Sequence, residues 1–269
     1  MGRGKNTTVR TILSESRIFS ITGNEYNMKQ YEAVIEIMEE NGGYSTLGEL
    51  YKEVFKIEQV KWGTQTPFAS IRRIVQDERF FFKLKPGLWA LKSRKENVLK
   101  RFEITNIKKI DSLEFNHSYY QGLLLEIGKL KKMGTYVPSQ DKNKKFLEKP
   151  LGEIASISKF FNFTYNEIVR RAKTVDVSWF NERRLPHSFF EVEHSTEFKN
   201  SLLKFVELQD FNVDFRIVAD KRKENLYNST LAMSAFRVIA HRVRFLSYDI
   251  LAELHVKSVE LNLIERNIY

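Results

Sequence analysis

Two short segments of alternating polarity, residues 175–180 and 188–194, restrict the fold of this chain more than any other feature. Apolar and polar side chains alternate in both segments, which is the period of a β-strand with two different faces. Residues 181–187 supply the connecting turn. The pattern therefore predicts two antiparallel strands joined as a hairpin.

Helical stripes and further strands surround this hairpin. Upstream, apolar residues at helical spacing over 120–130 are followed by a short strand within 134–138. Downstream, an amphipathic stripe over 198–209 predicts a helix, and residues 213–219 predict another strand. The order helix, three strands, helix, strand predicts an α/β fold with a mixed sheet flanked by helices. The elements expected to complete this core are a helix through 231–239 and a strand and helix within 245–259.

Three acidic residues stand on the predicted hairpin, Asp176 on its first strand and Glu191 and Glu193 on its second. Side chains two apart on a strand share a face, so the two glutamates project together, and strand pairing would place Asp176 beside Glu191. The chain has no cysteine and five histidines without an HxxxH pair, so a metal site would be built from carboxylates. Carboxylates suit Mg²⁺, which polarises phosphoryl oxygens and activates bound water. The alternative is a solvated acidic face of the sheet.

This order of elements, with Asp176 followed by Glu191-x-Glu193, resembles the PD-(D/E)XK nuclease superfamily. Residues 190–196 are similar to its restriction-endonuclease members, and the resemblance spans about residues 117–250. It implies that Asp176 and Glu191 bind Mg²⁺, for which Mn²⁺ is expected to substitute. It also implies that Glu193 stands where most members carry the catalytic lysine.

The glutamate at the lysine position leaves open which group activates the attacking water. Lys199 and Lys204 on the following helix are candidates for replacing the missing lysine. Glu126, on the first core helix, is a further acidic candidate near the metal. His194 is expected to be a hydrogen-bonding neighbour of the site rather than a metal ligand.

The first part of the chain, residues 1–92, predicts a separate domain with its core at about 26–92. Apolar spacing and turn residues predict three helices followed by a hairpin that turns at Lys85-Pro86-Gly87, which is the order of a winged helix. This segment resembles the HARE-type winged-helix family, and the resemblance implies nucleic-acid binding. The matching residues are Thr66, Ala69-Ser70-Ile71, Phe80, Gly87, Trp89 and Leu91.

Basic charge is concentrated in the later part of this domain. Residues 61–109 hold 13 Lys and Arg against 4 Asp and Glu, whereas residues 11–60 hold 4 against 9. Such a local excess, in a chain of net charge +10, favours contact with a polyanion. The alternative is a solvated surface on a winged helix that binds protein. The candidate DNA contacts are Ser70, Arg72, Arg73, Gln76, Lys83 and Lys85.

These expectations combine into a winged-helix domain at 1–92, a linker at 93–116 and a PD-(D/E)XK nuclease domain at 117–269. The leading hypothesis is a type II-like restriction endonuclease that hydrolyses phosphodiester bonds of double-stranded DNA at specific sites, methylated ones in one variant. Cutting both strands favours a homodimer. The alternative is a non-catalytic DNA-binding regulator that uses a degenerate nuclease fold as a scaffold. The absence of a long apolar run or leader predicts a cytoplasmic protein with no membrane partner.

Overall fold

The structure is a computed structural model that describes residues 27–102, 113–194 and 197–266, without the side chains of residues 113–116. The chain divides into two compact units, residues 1–107 and 108–269. Among the described residues, no helix has both the length and the apolar character needed to cross a membrane.

The first unit combines helices with a three-stranded antiparallel sheet in the order β1-β3-β2. The Thr46 hydroxyl caps the second helix by accepting a hydrogen bond from the backbone N of Glu49 at 3.1 Å. The third helix begins at Pro67, where a proline costs no hydrogen bond. Gly87 turns the chain between the last two strands with a φ of 75°. The elements are α1 (Gln30–Glu40), β1 (Tyr44–Thr46), α2 (Leu47–Glu53), α3 (Pro67–Val75), β2 (Phe81–Lys85) and β3 (Leu88–Leu91).

A fourth helix of this unit, α4 (Lys95–Arg101), occupies much of the segment that we expected to be a linker. The side chain of Val98 in this helix is fully buried, so the helix packs as part of the unit. Residues 103–112 of the expected linker lie outside the described residues, as do residues 1–26 and the Ser195-Thr196 end of the segment that resembles restriction enzymes.

The second unit is built on a five-stranded sheet in the order β10-β9-β8-β7-β4. Strand β7 is antiparallel to both β4 and β8, whereas β9 is parallel to both β8 and β10. This mixed sheet with flanking helices confirms the predicted α/β fold class. The elements are α5 (Leu113–Leu130), β4 (Gly134–Tyr136), β5 (Lys145–Phe146), β6 (Lys149–Pro150), α6 (Leu151–Ile154), α7 (Asn166–Ala172), β7 (Val177–Phe180), β8 (Pro186–Glu193), α8 (Phe198–Glu207), β9 (Asp214–Ala219), α9 (Glu224–Leu231), β10 (Val243–Ser247) and α10 (Tyr248–Glu265).

The central strand β8 has different neighbours on its two faces. Phe189 belongs to a core cluster with residues of α8, in which the rings of Phe205 and Phe215 stack with centroids 4.7 Å apart. On the other face, the ring of Phe190 lies 4.6 Å from that of Trp179. Alternation along β8 therefore directs Glu191, two residues after Phe189, towards α8.

Helix α5 lies close against the sheet on the Trp179 side. The Trp179 indole donates a hydrogen bond to the backbone O of Leu124 at 3.1 Å. A Cβ added at Gly128 would lie 2.4 Å from the Cγ2 of Thr135 and 2.7 Å from the Nε1 of Trp179. Only glycine permits this approach, which sets the distance of α5 from the strands.

The prediction of a helix through 231–239 is wrong. Helix α9 ends at Leu231, and the extended backbone of Met233, with φ −61° and ψ 145°, interrupts the helical path. A continuous helix would fix the directions of Phe236 and Ile239 relative to α9. The interruption removes this constraint, and both side chains are buried in the core. Tertiary packing thus overrides the local periodicity.

Candidate active site

The end of the predicted hairpin brings Asp176 beside the last residues of β8. Asp176 immediately precedes β7, and its Oδ2 accepts a hydrogen bond from the backbone N of Val192 at 2.7 Å. The antiparallel register pairs Val177 with Phe190, so the next pair outward consists of Asp176 and Glu191. The two carboxylates therefore lie at one point of the sheet, as the sequence predicts.

Glu191 is buried, with only 2% of its surface exposed, and is held by two side chains of α8. The Lys204 Nζ lies 2.8 Å from each of its carboxylate oxygens, and the Ser201 hydroxyl donates to its Oε2 at 3.0 Å. Lys204 also donates to the backbone O of Thr174 at 3.0 Å. A lysine from the helix after β8 thus lies directly against the buried glutamate.

Glu193 shares the face of Glu191, since the Ser201 hydroxyl donates to the Oε1 of Glu193 as well. Glu193 is half-buried and lies closer to solvent than Glu191. Of the two lysines that the sequence nominated, only Lys204 reaches a carboxylate of this group through a described contact. Lys199, one helical turn earlier, is exposed.

The electrostatic environment of Glu191 contains opposing influences. Burial raises the pKa of the Glu191 carboxyl well above its usual range, and the neighbouring charge of Asp176 acts in the same direction. The Lys204 ammonium and the hydrogen bonds from Lys204 and Ser201 lower it. A positive charge beside Glu191 therefore stabilises its ionised form, and a divalent cation would act in the same way.

A second group of side chains lies on the other side of Asp176. The His117 Nε2 in α5 lies 3.5 Å from the Oδ1 of Asp176. Asp141, in the turn before β5, is 3% exposed and accepts a hydrogen bond from the Gln121 Nε2 at 2.8 Å. His117, Asp141 and Asp176 each offer one ligand atom, and these atoms lie within 4.8 Å of one another. Sequence reasoning missed both His117 and Asp141.

His117 titrates under the influence of these carboxylates. Burial alone would lower the pKa of the imidazole, but the hydrogen bond that His117 donates to Asp176 and the charges of Asp176 and Asp141 outweigh it and raise that pKa above its ordinary value of 6.5. The nearby charge of Lys144 opposes the rise. The net effect favours a protonated imidazole in the absence of a bound cation.

Two other predicted neighbours have their own partners. His194 Nδ1 is hydrogen-bonded to the Tyr248 hydroxyl, which also donates to the backbone O of Glu193 at 2.9 Å. Glu126 accepts the buried His255 Nε2 of α10 at 2.6 Å. The described contact of Glu126 therefore joins α5 to α10, and it involves neither Asp176 nor Glu191.

The candidate DNA contacts of the first unit have unequal exposure. Arg73 on α3, Gln76 directly after α3 and Lys83 on β2 are exposed, and Ser70 and Arg72 are half-buried. Lys85 is only 8% exposed, which contradicts its expected position on the surface of the hairpin. The register shifts between Lys83 and Lys85, and this irregularity turns Lys85 inward.

The donor chemistry of the second unit fits a hard divalent cation. Asp176 and Glu191 provide carboxylate oxygens at one point of the sheet, and Asp141 adds a third oxygen donor close to Asp176. The Oε1 of Gln121, a side chain with no exposed surface, has no hydrogen-bond partner among the described residues. Such an uncompensated oxygen beside carboxylates is the environment that a bound cation would complete.

The five-stranded mixed sheet flanked by helices is consistent with a restriction-endonuclease-like core. The family model described as the type II restriction enzyme NmeDI C-terminal domain matches residues 99–268, more than half of the chain. The chain belongs to this family, which supports the prediction of a restriction endonuclease. Searches of curated proteins and of solved structures found no match.

Proposed function

We propose that this protein is a Mg²⁺-dependent type II restriction endonuclease that hydrolyses phosphodiester bonds of double-stranded DNA at specific sites. The observation that carries the proposal is the contact of the Lys204 Nζ, at 2.8 Å, with both oxygens of Glu191 beside Asp176. Two carboxylates and a lysine form the set that the superfamily uses, and here the lysine comes from a helix. Mn²⁺ is expected to substitute for Mg²⁺.

Asp176 and Glu191 would hold the cation, which would supply polarisation of a phosphoryl oxygen and activation of a water. Lys204 has two tasks. Before the cation arrives, its ammonium compensates the buried charge of Glu191. With a cation also bound to Glu191, the ammonium would orient the attacking water and stabilise negative charge at the phosphate. Ser201 keeps Glu191 and Glu193 in fixed positions through its shared hydroxyl.

We propose that the first unit is a winged helix that helps to choose the site. Its support is the order helix, strand, helix, helix, strand, strand, with the exposed side chains of Arg73 on the third helix and Gln76 at its end. Arginine and glutamine reach base edges in the major groove, whereas Lys83 on the hairpin would contact phosphate. Ser70 and Arg72 remain candidates at the rim of this surface. Cleavage of methylated and unmethylated DNA would be compared to test whether a modified base is required.

A homodimer would cut both strands with two equivalent active sites. An exposed apolar stripe on one side of α10 is a candidate dimer interface. Its residues are Ile250, Leu254, Leu261 and Ile264, which are 53%, 37%, 56% and 44% exposed. The mass of the full chain in solution tests it: a single species of twice the chain mass is expected, and Leu261→Glu should shift it towards the monomer.

The alternative is a DNA-binding regulator in which this site has no catalytic role. The burial of Glu191, which leaves 2% of its surface exposed, favours it, because a glutamate neutralised by a lysine can serve as a structural pair. The nuclease would hydrolyse DNA, whereas the regulator would only bind it.

The test uses methylated and unmethylated plasmids with the full chain, in Mg²⁺ and in a chelator. We expect cleavage with Mg²⁺ that is abolished by chelator and by Glu191→Ala, while DNA binding is retained. Glu182→Ala, at an exposed position in the hairpin turn, is the matched control and should cut normally. Intact plasmid under every condition, with binding retained, would establish the regulator instead.

A further inference from the structure

The side of Asp176 that faces α5 has the composition of a second cation site. Of the two Asp176 oxygens, Oδ2 is bonded to the backbone of β8, whereas Oδ1 faces the His117 Nε2 at 3.5 Å. Asp141 approaches the same place from the turn before β5. We propose that His117, Asp141 and the Oδ1 of Asp176 bind a divalent cation that is distinct from the one held through Glu191.

The spacing of the three ligand atoms suits one ion. Around a six-coordinate ion with bonds near 2.1 Å, adjacent ligands are about 3 Å apart and opposite ligands about 4.2 Å apart. The three atoms here lie within 4.8 Å of one another, and the His117 Nε2 and the Asp176 Oδ1 are 3.5 Å apart, so the side chains would have to move inward to reach these separations. One imidazole and two carboxylates favour a first-row transition ion such as Mn²⁺ over Mg²⁺, which binds imidazole poorly.

Gln121 is an independent sign that a ligand belongs at this place. Its side chain is fully buried, and its Nε2 donates to the Asp141 Oδ2 at 2.8 Å and to the backbone O of Asp176 at 3.1 Å. These two bonds direct the amide into the group, while its Oε1 has no hydrogen-bond partner among the described residues. A buried amide oxygen without a partner is costly, and a cation or its bound water would satisfy it.

Lys144 is placed to compete with a cation for the Asp141 carboxylate. Its Nζ lies 2.8 Å from the Asp141 Oδ1 and is one-third exposed, so it can move away from the carboxylate into solvent. The pair repeats the relation between Lys204 and Glu191, in which an ammonium compensates a buried carboxylate. Removal of the Lys144 charge should therefore strengthen cation binding instead of weakening it.

The experiment measures Mn²⁺ binding to the full chain by electron paramagnetic resonance, without DNA. Pulsed spectra of the bound ion should contain modulation from an imidazole nitrogen, and His117→Gln should abolish it. Asp141→Asn should weaken Mn²⁺ binding at this site at least tenfold, since even residues that contact a ligand indirectly contribute about 10–100-fold. Asp210→Asn, at an exposed aspartate, is the matched control and should change nothing.

Two further variants keep the inference falsifiable and separate it from the nuclease proposal. Lys144→Met should bind Mn²⁺ more tightly, whereas a merely structural group would show no gain. Glu191→Gln should lose cleavage but keep the nitrogen modulation. Bound Mn²⁺ without nitrogen modulation, or an affinity unaffected by both Asp141→Asn and Lys144→Met, would overturn the second site, even if cleavage depends on Glu191 as proposed.

Discussion

The candidate residues of the two units differ in how far the protein itself organises them. In the second unit Glu191 is buried and its carboxylate is fixed by Lys204 and Ser201. In the first unit Arg73 and Gln76 project into solvent. Chemistry requires groups held in position before the substrate arrives, whereas a DNA-reading surface takes its partners from the DNA. The difference is the one expected between a catalytic centre and a recognition surface.

One half-buried lysine and one buried lysine sharpen this comparison. Lys204 is turned towards a carboxylate of the candidate active site, and its side chain keeps 20% of its surface exposed. Lys85 is turned inward by the irregular register of its hairpin and has 8% exposure. Burial of a lysine is thus informative only together with the group that it meets, and Lys204 meets a carboxylate with a role in the proposed reaction.

The largest effect should come from Lys204, and it tests whether the organised group is catalytic. Lys204→Met should lower the cleavage rate by about 10²–10³-fold, the usual effect of removing one group that stabilises developing negative charge. Lys199→Met removes the same charge from the same helix at an exposed position and should change the rate by less than about threefold. Single-turnover cleavage with saturating enzyme makes the measurement. Equal losses of cleavage rate in both variants would mean that the lysines of α8 contribute to cleavage only through their positive charge.

The sequence predicted the strands of the site because their periodicity is local. The alternation in residues 175–180 and 188–194 anticipates β7 and β8, and the antiparallel register confirms their pairing. The common face of Glu191 and Glu193 follows from the same period of two, and both accept the Ser201 hydroxyl. Properties set by neighbouring residues along the chain are therefore accessible without a structure.

The remaining parts of the site depend on contacts that sequence spacing does not encode. Asp141 stands among lysines in a turn, a pattern typical of an exposed loop, yet Gln121 and Lys144 bury it. His117 has no partner at metal-binding spacing along the chain, because its neighbour Asp176 comes from a distant strand. One signal was present: Gln121 is a polar residue inside the otherwise apolar stripe of α5, and such positions usually have a specific partner.

The next largest effect concerns the recognition surface of α3. Gln76→Ala and Arg73→Ala should each weaken binding of the cognate site by about 1–3 kcal/mol, or about 5–150-fold, if these side chains contact bases. The single-turnover cleavage rate at saturating protein should stay unchanged, since neither residue belongs to the carboxylate group. Titration of a labelled cognate duplex measures the affinity.

Lys56→Ala provides the control for this pair of variants. Lys56 is an exposed lysine of the same unit that lies outside α3 and pairs with Glu53 at 2.6 Å. Its loss should leave the affinity nearly unchanged. A loss of affinity equal to that of Arg73→Ala would show that the unit attracts DNA through its overall charge and does not read bases with α3.

A smaller effect is expected at Lys83, which we assign to a phosphate. Lys83→Ala should weaken cognate and non-cognate DNA alike, and should reduce the slope of log affinity against log salt by about 0.9, the value for one phosphate contact. Arg73→Ala should instead reduce the preference for the cognate site. Affinities measured between about 50 and 200 mM salt distinguish the two patterns, and a Lys83 variant with altered sequence preference would contradict the assignment.

The smallest effect should come from an ion pair that resembles the Lys204–Glu191 pair in position but not in burial. Arg171 of α7 and Glu207 at the end of α8 also join α8 to the segment before β7, but their side chains are 41% and 49% exposed. Solvent screens such a pair, so a double-mutant cycle with Arg171→Ala and Glu207→Ala should give a coupling of about 0.2–1 kcal/mol in the free energy of unfolding. Cleavage should remain normal in both variants. If this exposed pair proved as important for cleavage as Lys204, the helix position alone would explain the effect of Lys204, and the organised contact with Glu191 would lose its catalytic meaning.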